Sequence, residues 1–350
     1  MVHRMVGHLA GRGRLMIPIA SVAFGLGGVL IQMQEELIAF VPMLLLLCRQ
    51  LGFTPIVAAS VSIGAAAVGA AFSPVNPFQV VIAQKVAELP PQSGMGFRLI
   101  FLALAMGIWI WGTWRLASQS SGVAGEGEIS TSSQPEESHR SDTVVFALVL
   151  ATFALFIIGA QRWGWDFEQF SALFFLMGVA AGLIGRLGIA GTAEAFVEGF
   201  RSLAFAALLI GFARGIYVVL DDGMIIDTIV HALFTPLANL PRAVSAVGMM
   251  GVQTLIHIPV PSTSGQAVLT MPVLVPLSDL LGLSRQVTVL AYQYGAGLCE
   301  LLTPTNGALM AMLAATGVPY DQWFRFAGKL WLLLAALGIT GVLVAVVIGV

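Results

Sequence analysis

The chain has 350 residues, 58% of them hydrophobic and only 10% charged, with a mean hydropathy of +0.92 and a formal net charge of −2. A soluble domain carries roughly 25% charged residues, so this composition excludes an ordinary water-soluble fold and reads as a polytopic helical membrane protein. No basic patch points to nucleic acid, and two isolated cysteines, Cys48 and Cys299, in apolar surroundings exclude a disulfide framework and a cysteine metal site.

The chain is read with about 20 apolar residues per membrane crossing. It opens on Arg4, Arg12 and Arg14 before an apolar run, a superficial likeness to a signal peptide. That run continues through Pro18 to Gln32 with no small-residue cleavage pattern, so removal is not expected. Residues 15–31 are apolar and end at the polar knot Gln32-Met33-Gln34-Glu35-Glu36, and residues 37–48 are apolar but too short to cross. A long apolar stretch, 55–83, is broken by Ser73-Pro74-Val75-Asn76-Pro77. A polar turn at 88–96 precedes a span at 97–114, and the Ser-, Gly- and Glu-rich segment 118–142 reads as a flexible solvated linker. Spans follow at 143–161 and 169–187. Glu194, Glu198 and Arg201 at helical spacing make 191–201 a helix lying at the interface. Another span, 202–220, ends at Asp221-Asp222, and 224–240 looks interfacial as well. Residues 256–313 are almost wholly apolar, yet two polar clusters interrupt them: Pro261-Ser262-Thr263-Ser264-Gly265-Gln266 and Thr303-Pro304-Thr305-Asn306-Gly307. The last span is 326–349.

Irregular chain at membrane depth survives only inside protein or beside a water-filled cavity, because lipid cannot pair its amides and carbonyls. The two breaks are also related to each other. An offset of 230 residues superposes Pro74 on Pro304, Asn76 on Asn306, Pro42 on Pro272, Gly52 on Gly282 and Leu51 on Leu281 without a gap. Both halves thus run in the same order: apolar arm, polar tip, apolar arm with Pro, then a span broken at Ser/Thr-Pro-x-Asn. Interrupted helices at matching positions of a duplication point to the binding site of a secondary transporter. With the amino-terminal arginines inside and each polar-tipped segment returning to its own side, the two broken spans run in opposite directions. Ten basic residues then fall inside against five outside, Arg98 among the latter, with Arg214 near or within the membrane. The excess has the sign of the positive-inside rule.

The expected division is a first repeat over 1–115, with a hairpin at 15–48, a broken helix at 55–86 and a following helix. A flexible cytoplasmic linker occupies 116–142. The remainder, 143–350, holds helices 143–161, 169–187 and 202–220, a hairpin at 243–281, a broken helix at 286–316 and a last helix at 326–349.

A proline in mid-helix removes one amide donor and frees carbonyls in the preceding turn. Each break therefore exposes a carbonyl end suited to a cation and an amide end suited to an anion. Ser73, Asn76, Thr303 and Asn306 add neutral oxygens there, a donor set for sodium or a carboxylate; the plain alternative is a proline kink with Asn filling the gap. The tip Ser262, Thr263, Ser264 and Gly265 is neutral and donor-rich, which suits a carboxylate or sodium. Glu35 and Glu36 make the other tip anionic, suited to a cation, a proton or an amino group, unless they are simply solvated. Glu300 is an acid inside an apolar span and so a functional candidate, either as a proton-coupling group or as the partner of Arg214 or His257. His257 and Ser264 admit an intramembrane hydrolase as a minor alternative, which leaves the duplication unexplained.

The runs SPVNPFQVVIAQ, VVLDDGMIIDTI, IPVPSTSGQAVLTMPVLVPLSDLLG and LLTPTNGALMAMLAATGVPYDQWFRF resemble the YfcC-like carriers, close to the DcuC-type four-carbon dicarboxylate carriers within the ion transporter superfamily. The resemblance runs from about residue 14 to near the end of the chain. It implies an all-α fold with two inverted repeats, each with a re-entrant hairpin and a broken transmembrane helix, moving as an elevator. It implies one half-site of Gln34, Glu35, Glu36, Ser73 and Asn76, and another of Ser262, Thr263, Ser264, Gly265, Thr303 and Asn306. The function implied is secondary transport of a dicarboxylate or a basic amino acid such as arginine or ornithine, coupled to sodium or protons or run as exchange. No cofactor and no enzymatic activity are expected; the partners are the small solute and the lipid bilayer of a bacterial inner membrane, with a homodimer as the candidate assembly. Such carriers have several scaffold helices before the first hairpin, whereas this sequence begins almost at it. The expected explanations are a misassigned start, a truncated and non-transporting copy, or a partner chain that supplies those helices.

Overall fold

The computed structural model describes residues 13–120, 140–159, 163, 165 and 167–350. Among them there is no strand; helices and the turns between them make the whole fold. Among the described residues three helices are long and apolar enough to cross a membrane: Met95–Gln119, Thr263–Leu281 and Tyr320–Ile348. The described residues fall into two units, one drawn from Gly122–Phe205 and the other from Arg14–Ser121 with Ala206–Val350.

The larger unit holds both halves of the duplication. It begins with α1 (Met16–Ile31), whose C-cap Gln32 turns the chain in the left-handed region at φ 53°. A tight 3-10 turn, Glu35–Phe40, leads into α2 (Val41–Gln50), closing a helical hairpin around the polar knot. The broken span is α3 (Pro55–Ala71), with a π turn at Ser60–Gly64, followed after the Ser73–Asn76 interruption by α4 (77–86). The second half repeats this order with α10 (Arg242–His257), a polar tip, α11 (Thr263–Leu281), α12 (Arg285–Cys299), the Glu300–Asn306 interruption and α13 (Gly307–Thr316). Between and after the two halves lie α5 (Met95–Ser120), α9 (Ile226–Phe234) and α14 (Tyr320–Ile348). Gly52 and Gly282, one offset apart, both take a positive φ where a hairpin arm turns into its broken span; this is a conformation that glycine adopts without a Cβ clash.

Small residues set the crossings. A Cβ at Gly28 would stand 1.9 Å from the Ala66 carbonyl oxygen, and one at Gly69 would stand 2.2 Å from that of Gly25, so α1 lies on α3 backbone to backbone. In the second half Gly295 brings α12 equally close to α10, 2.3 Å from Met250 O. Lipid tails offer no hydrophobic drive between helices, so close approach of this kind supplies packing energy instead. The halves then interlock: α3 packs on α12, α4 on α11, and α13 on α2. The sequence repeats are therefore not separate bodies. Each second half-helix leans on a hairpin arm of the other repeat.

In the smaller unit α6 (Arg140–Ile158) packs against α7 (Phe167–Ile184), with Phe156 and Phe174 edge to face at 5.4 Å. The helix that follows, α8 (Gly188–Asp222), is one continuous helix where an interfacial segment and a separate span were expected. No proline interrupts 188–222, and Glu198 and Arg201 lie exposed on its surface as an i,i+3 pair. Of the expected linker, residues 121–139 lie outside the described residues, while 116–120 continue α5 and 140–142 begin α6.

Candidate functional site

Each break leaves carbonyls without helical donors, and the structure identifies what takes their place. Pro77 has no N–H for the Ser73 carbonyl, which instead accepts from Gln293 Nε2 on α12 at 2.7 Å. Pro304 has none for the Glu300 carbonyl, which accepts from Asn306 Nδ2 at 3.2 Å. Trp323 Nε1 and Trp331 Nε1 on α14 donate to Leu301 O and Leu298 O at 2.8 and 2.9 Å. Most of each interruption is covered by protein, although Pro304 lies exposed; irregular chain of this kind is tolerated where side chains answer its polar groups.

The two asparagines do the same local job. Asn76 Oδ1 accepts from Phe78 N and Gln79 N at 2.9 and 3.1 Å, and Asn306 Oδ1 accepts from Leu309 N at 3.2 Å. Gln79 and Leu309 are 230 residues apart, so both caps hold the matching amide. Capping satisfies donors that the start of a helix cannot pair internally. Ser73 Oγ accepts from Val75 N and Asn76 N and donates to Val29 O at 2.7 Å; Thr303 Oγ1 accepts from Thr305 N at 3.4 Å. Thr305 Oγ1 donates to Ile258 O, so the hydroxyl contact of 2.6 Å between Thr303 and Thr305 has Thr303 as donor. Asn76 Nδ2 reaches back to Gly28 O at 2.8 Å. Break and hairpin are latched together in each half.

The tips meet as well. Gln32 Nε2 donates to Thr263 Oγ1 at 2.7 Å, joining the first hairpin's tip directly to the second's. Gln34 Nε2 donates to Glu300 Oε2, and Gln34 Oε1 accepts from Asn306 Nδ2 at 3.2 Å. Glu300 Oε1 stands 3.8 Å from His257 Nε2, with both side chains buried. Glu300 therefore touches the first tip and the helix leading into the second tip, and its carbonyl takes the second break's Asn306. Of its two expected partners it is near His257; the side chain of Arg214 is outside the described set. Gln34, Ser73, Asn76, Thr263, Glu300, Thr303 and Asn306 are buried, Glu36, Ser262, Ser264 and Gly265 half-buried, and Glu35 exposed. Glu36 Oε2 accepts from Gln34 N at 3.2 Å, and Ser262 Oγ caps α11 through Gly265 N. His257 makes no hydrogen bond with Ser264 among the described residues; its Nδ1 is 2.8 Å from Gln266 Oε1.

The imidazole's proton can be assigned from its neighbours. Gln266 Nε2 donates to the Gln253 carbonyl at 2.7 Å and to Gln253 Oε1, which leaves Gln266 Oε1 to face the ring. Nδ1 must then carry the hydrogen, and Nε2 turns either a lone pair or a second proton toward Glu300. At 3.8 Å the carboxyl and the ring nitrogen do not hydrogen-bond, and Nε2 has no other hydrogen-bond partner among the described residues.

Three contributors were not among the candidate site residues that the sequence offers: Gln32, Gln293 and Arg98. Arg98 is only 1% exposed. Its Nε donates to Gln293 Oε1 at 3.1 Å, and its terminal nitrogens donate to Ser93 O at 2.7 Å and to Gln286 Oε1 at 3.1 Å, all neutral acceptors. This orients the Gln293 amide that holds Ser73 O. Uncharged amides inside apolar helices were the available clue. Among the described residues no group of three or more His, Cys, Asp or Glu side chains is placed to hold a metal ion.

Residues 1–347 match the family model described as DcuC, the C4-dicarboxylate anaerobic carrier. The chain belongs to the DcuC family. One relative within reach of this DcuC-family chain is the "Putative basic amino acid antiporter YfcC" of Escherichia coli (strain K12), 34% identical over 347 residues, covering 93% of this chain and 69% of the relative. An uncharacterized protein of Haemophilus influenzae (strain ATCC 51907 / DSM 11121 / KW20 / Rd) is 31% identical over 339 residues, covering 92% and 66%. The chain thus spans about two thirds of the length of these relatives. A solved structure described as "Structure and Function of Neisseria gonorrhoeae MtrF Illuminates a Class of Antimetabolite Efflux Pumps" gives a TM-score of 0.49 at 17% identity, covering 93% of this chain and 74% of that one. That likeness is too slight to argue from. Family and composition together make this a membrane protein of a carrier family.

Proposed function

We propose that this chain forms the core of a secondary active transporter, not an enzyme, for a small carboxylate-bearing metabolite. The observation that carries the reading is that the two tips meet through Gln32 and Thr263 while Gln34 of the first tip binds Glu300 and Asn306 of the second break, with the first break latched to the same hairpin. Such a polar meeting point inside an apolar bundle is where a solute can exchange its water for protein donors. The family's description names a C4-dicarboxylate and the relative's name a basic amino acid; a carboxylate is the group these have in common.

The hairpins in this reading are re-entrant, and the two repeats are inverted with respect to the membrane. The matching caps at Asn76 and Asn306 and the matching turns at Gly52 and Gly282 support equivalence of the halves. Ser262, Thr263, Ser264 and Gly265 offer donors to the solute, and Glu35 and Glu36 line the opposing tip. Coupling runs through sodium, protons or exchange. Glu300 and His257, a buried titratable pair 3.8 Å apart, favour protons, and both asparagine oxygens, being committed as caps, favour sodium less. The seat is the inner membrane, crossed several times.

Counterflow in proteoliposomes with labelled succinate and labelled arginine tests this, with and without sodium and with and without a proton gradient. Accumulation of either label against unlabelled solute inside is the expected result. Absence of counterflow for both, with the protein inserted, refutes it.

A further inference from the structure

We infer that Gln79 is a solute-contacting residue whose side-chain amide donates to the carboxylate of the transported molecule. The inference deepens the transport reading above and rests on it. Gln79 stands in the first turn of α4, where its backbone N–H is held by the Asn76 cap at 3.1 Å. The residue is wholly buried, yet neither Oε1 nor Nε2 has a hydrogen-bond partner among the described residues. The assignment of oxygen and nitrogen does not matter, since both are unpaired. The other buried glutamines of this unit, Gln34, Gln84, Gln253, Gln266, Gln286 and Gln293, all hydrogen-bond through their side chains. Native proteins leave few buried polar atoms without partners, and each such atom calls for an explanation.

The amide points to the crossing of the broken helices. Its Oε1 lies 3.3 Å from where a Cβ on Gly297 would stand, and the same Cβ would meet Ala71 Cα of α3 at 2.7 Å. Glu300, the C-cap of α12, follows Gly297 by three residues, about one turn further along the same side. The Gln79 amide and the Glu300 carboxyl thus flank one stretch of this helix, a neutral donor beside an acid.

The duplication shows that folding does not require a polar residue here. The position matching Gln79 is Leu309, buried at 1% exposure beside an equivalent asparagine cap. The position matching Glu300 is Ala70, also buried. Each half therefore contributes one polar group where its counterpart is apolar. The fold accepts a hydrocarbon at both places, which leaves recognition as the use for the amide. A carboxylate oxygen is the acceptor its N–H2 group calls for.

The test is Gln79→Met, nearly isosteric, with Gln79→Leu as a second variant that copies the matching position. Each is purified into lipid nanodiscs for its unfolding temperature and into proteoliposomes for counterflow of succinate and arginine. Expected are a Tm equal to or above wild type and a KM raised about tenfold, equivalent to 1.4 kcal/mol, for whichever solute the wild type carries. A lowered Tm in both variants overturns the inference, because it shows the amide paired within the protein. An unchanged Tm with an unchanged KM overturns it too, while leaving the transport reading intact. A wild type that carries neither solute defeats the transport reading, and the inference falls with it.

Discussion

A methyl group at Gly28 is expected to prise α1 from α3 and unlatch the first break. A Cβ there stands 1.9 Å from Ala66 O, 2.7 Å from its carbonyl carbon and 2.9 Å from its Cα, all backbone atoms that cannot swing aside. Ordinary contact begins near 3.4 Å, so α1 must withdraw by about 1.5 Å, the difference between 3.4 and 1.9 Å. Overpacking of this kind costs about 1–3 kcal/mol. The same movement acts on the bonds from Asn76 Nδ2 to Gly28 O, 2.8 Å, and from Ser73 Oγ to Val29 O, 2.7 Å. Adding that displacement takes both beyond about 4 Å, outside hydrogen-bond range. Two such bonds at roughly 0.5–1.5 kcal/mol each bring the loss to about 2–6 kcal/mol. The assay is thermal unfolding of Gly28→Ala in nanodiscs followed by tryptophan fluorescence, together with counterflow. Gly107→Ala serves as the control, since a Cβ there meets nothing within 4 Å. Gly28→Ala should melt well below Gly107→Ala and lose counterflow; equal melting and equal counterflow would refute the packing argument.

The remaining expectations concern the polar network. Asn306→Ala unpairs Leu309 N, Gln34 Oε1 and the Glu300 carbonyl, and should abolish uptake while the protein still inserts; undiminished uptake of succinate and arginine counts against the site. Gln293→Glu keeps an oxygen for Arg98 but sets another against Ser73 O. It should lower counterflow at least about tenfold and speed amide exchange at 75–79, and unchanged exchange by mass spectrometry would show that the Gln293 link does not position the break. Glu300→Gln can still pair with Gln34 but holds no titratable proton. If coupling is to protons, it should lose the response to a proton gradient and retain exchange at equal pH, whereas a full response in the variant would exclude Glu300 as the coupling group.

How much was legible in the sequence depended on whether the signal was local. Pro74 and Pro304 lack an amide wherever they stand, and asparagine next to freed amides tends to cap them, so the breaks and their caps were readable at positions 74–76 and 304–306. Glu300 stands out because an acid in an apolar span is costly, but its neighbours do not: Arg214 and His257 are the partners the sequence offers, and Gln34, 266 residues away, is not among them. Charge counting assigns Arg98 a side of the membrane and says nothing of its burial against neutral amides. Glu194, Glu198 and Arg201 in the first half of α8 resemble an interfacial segment, although nothing in the backbone chemistry ends the helix there.

The sequence by itself determined the solvent, the all-helical class, the two discontinuities and their duplication, since each follows from composition or from what single residues do to their own backbone. Only the tertiary structure decided which side chain answers which freed carbonyl, that each half of the duplication leans on the other, and that the Gln79 amide has no hydrogen-bond partner among the described residues. Those outcomes depend on where helices cross, and the crossings are set by glycines whose meaning appears only when the opposing backbone is in place.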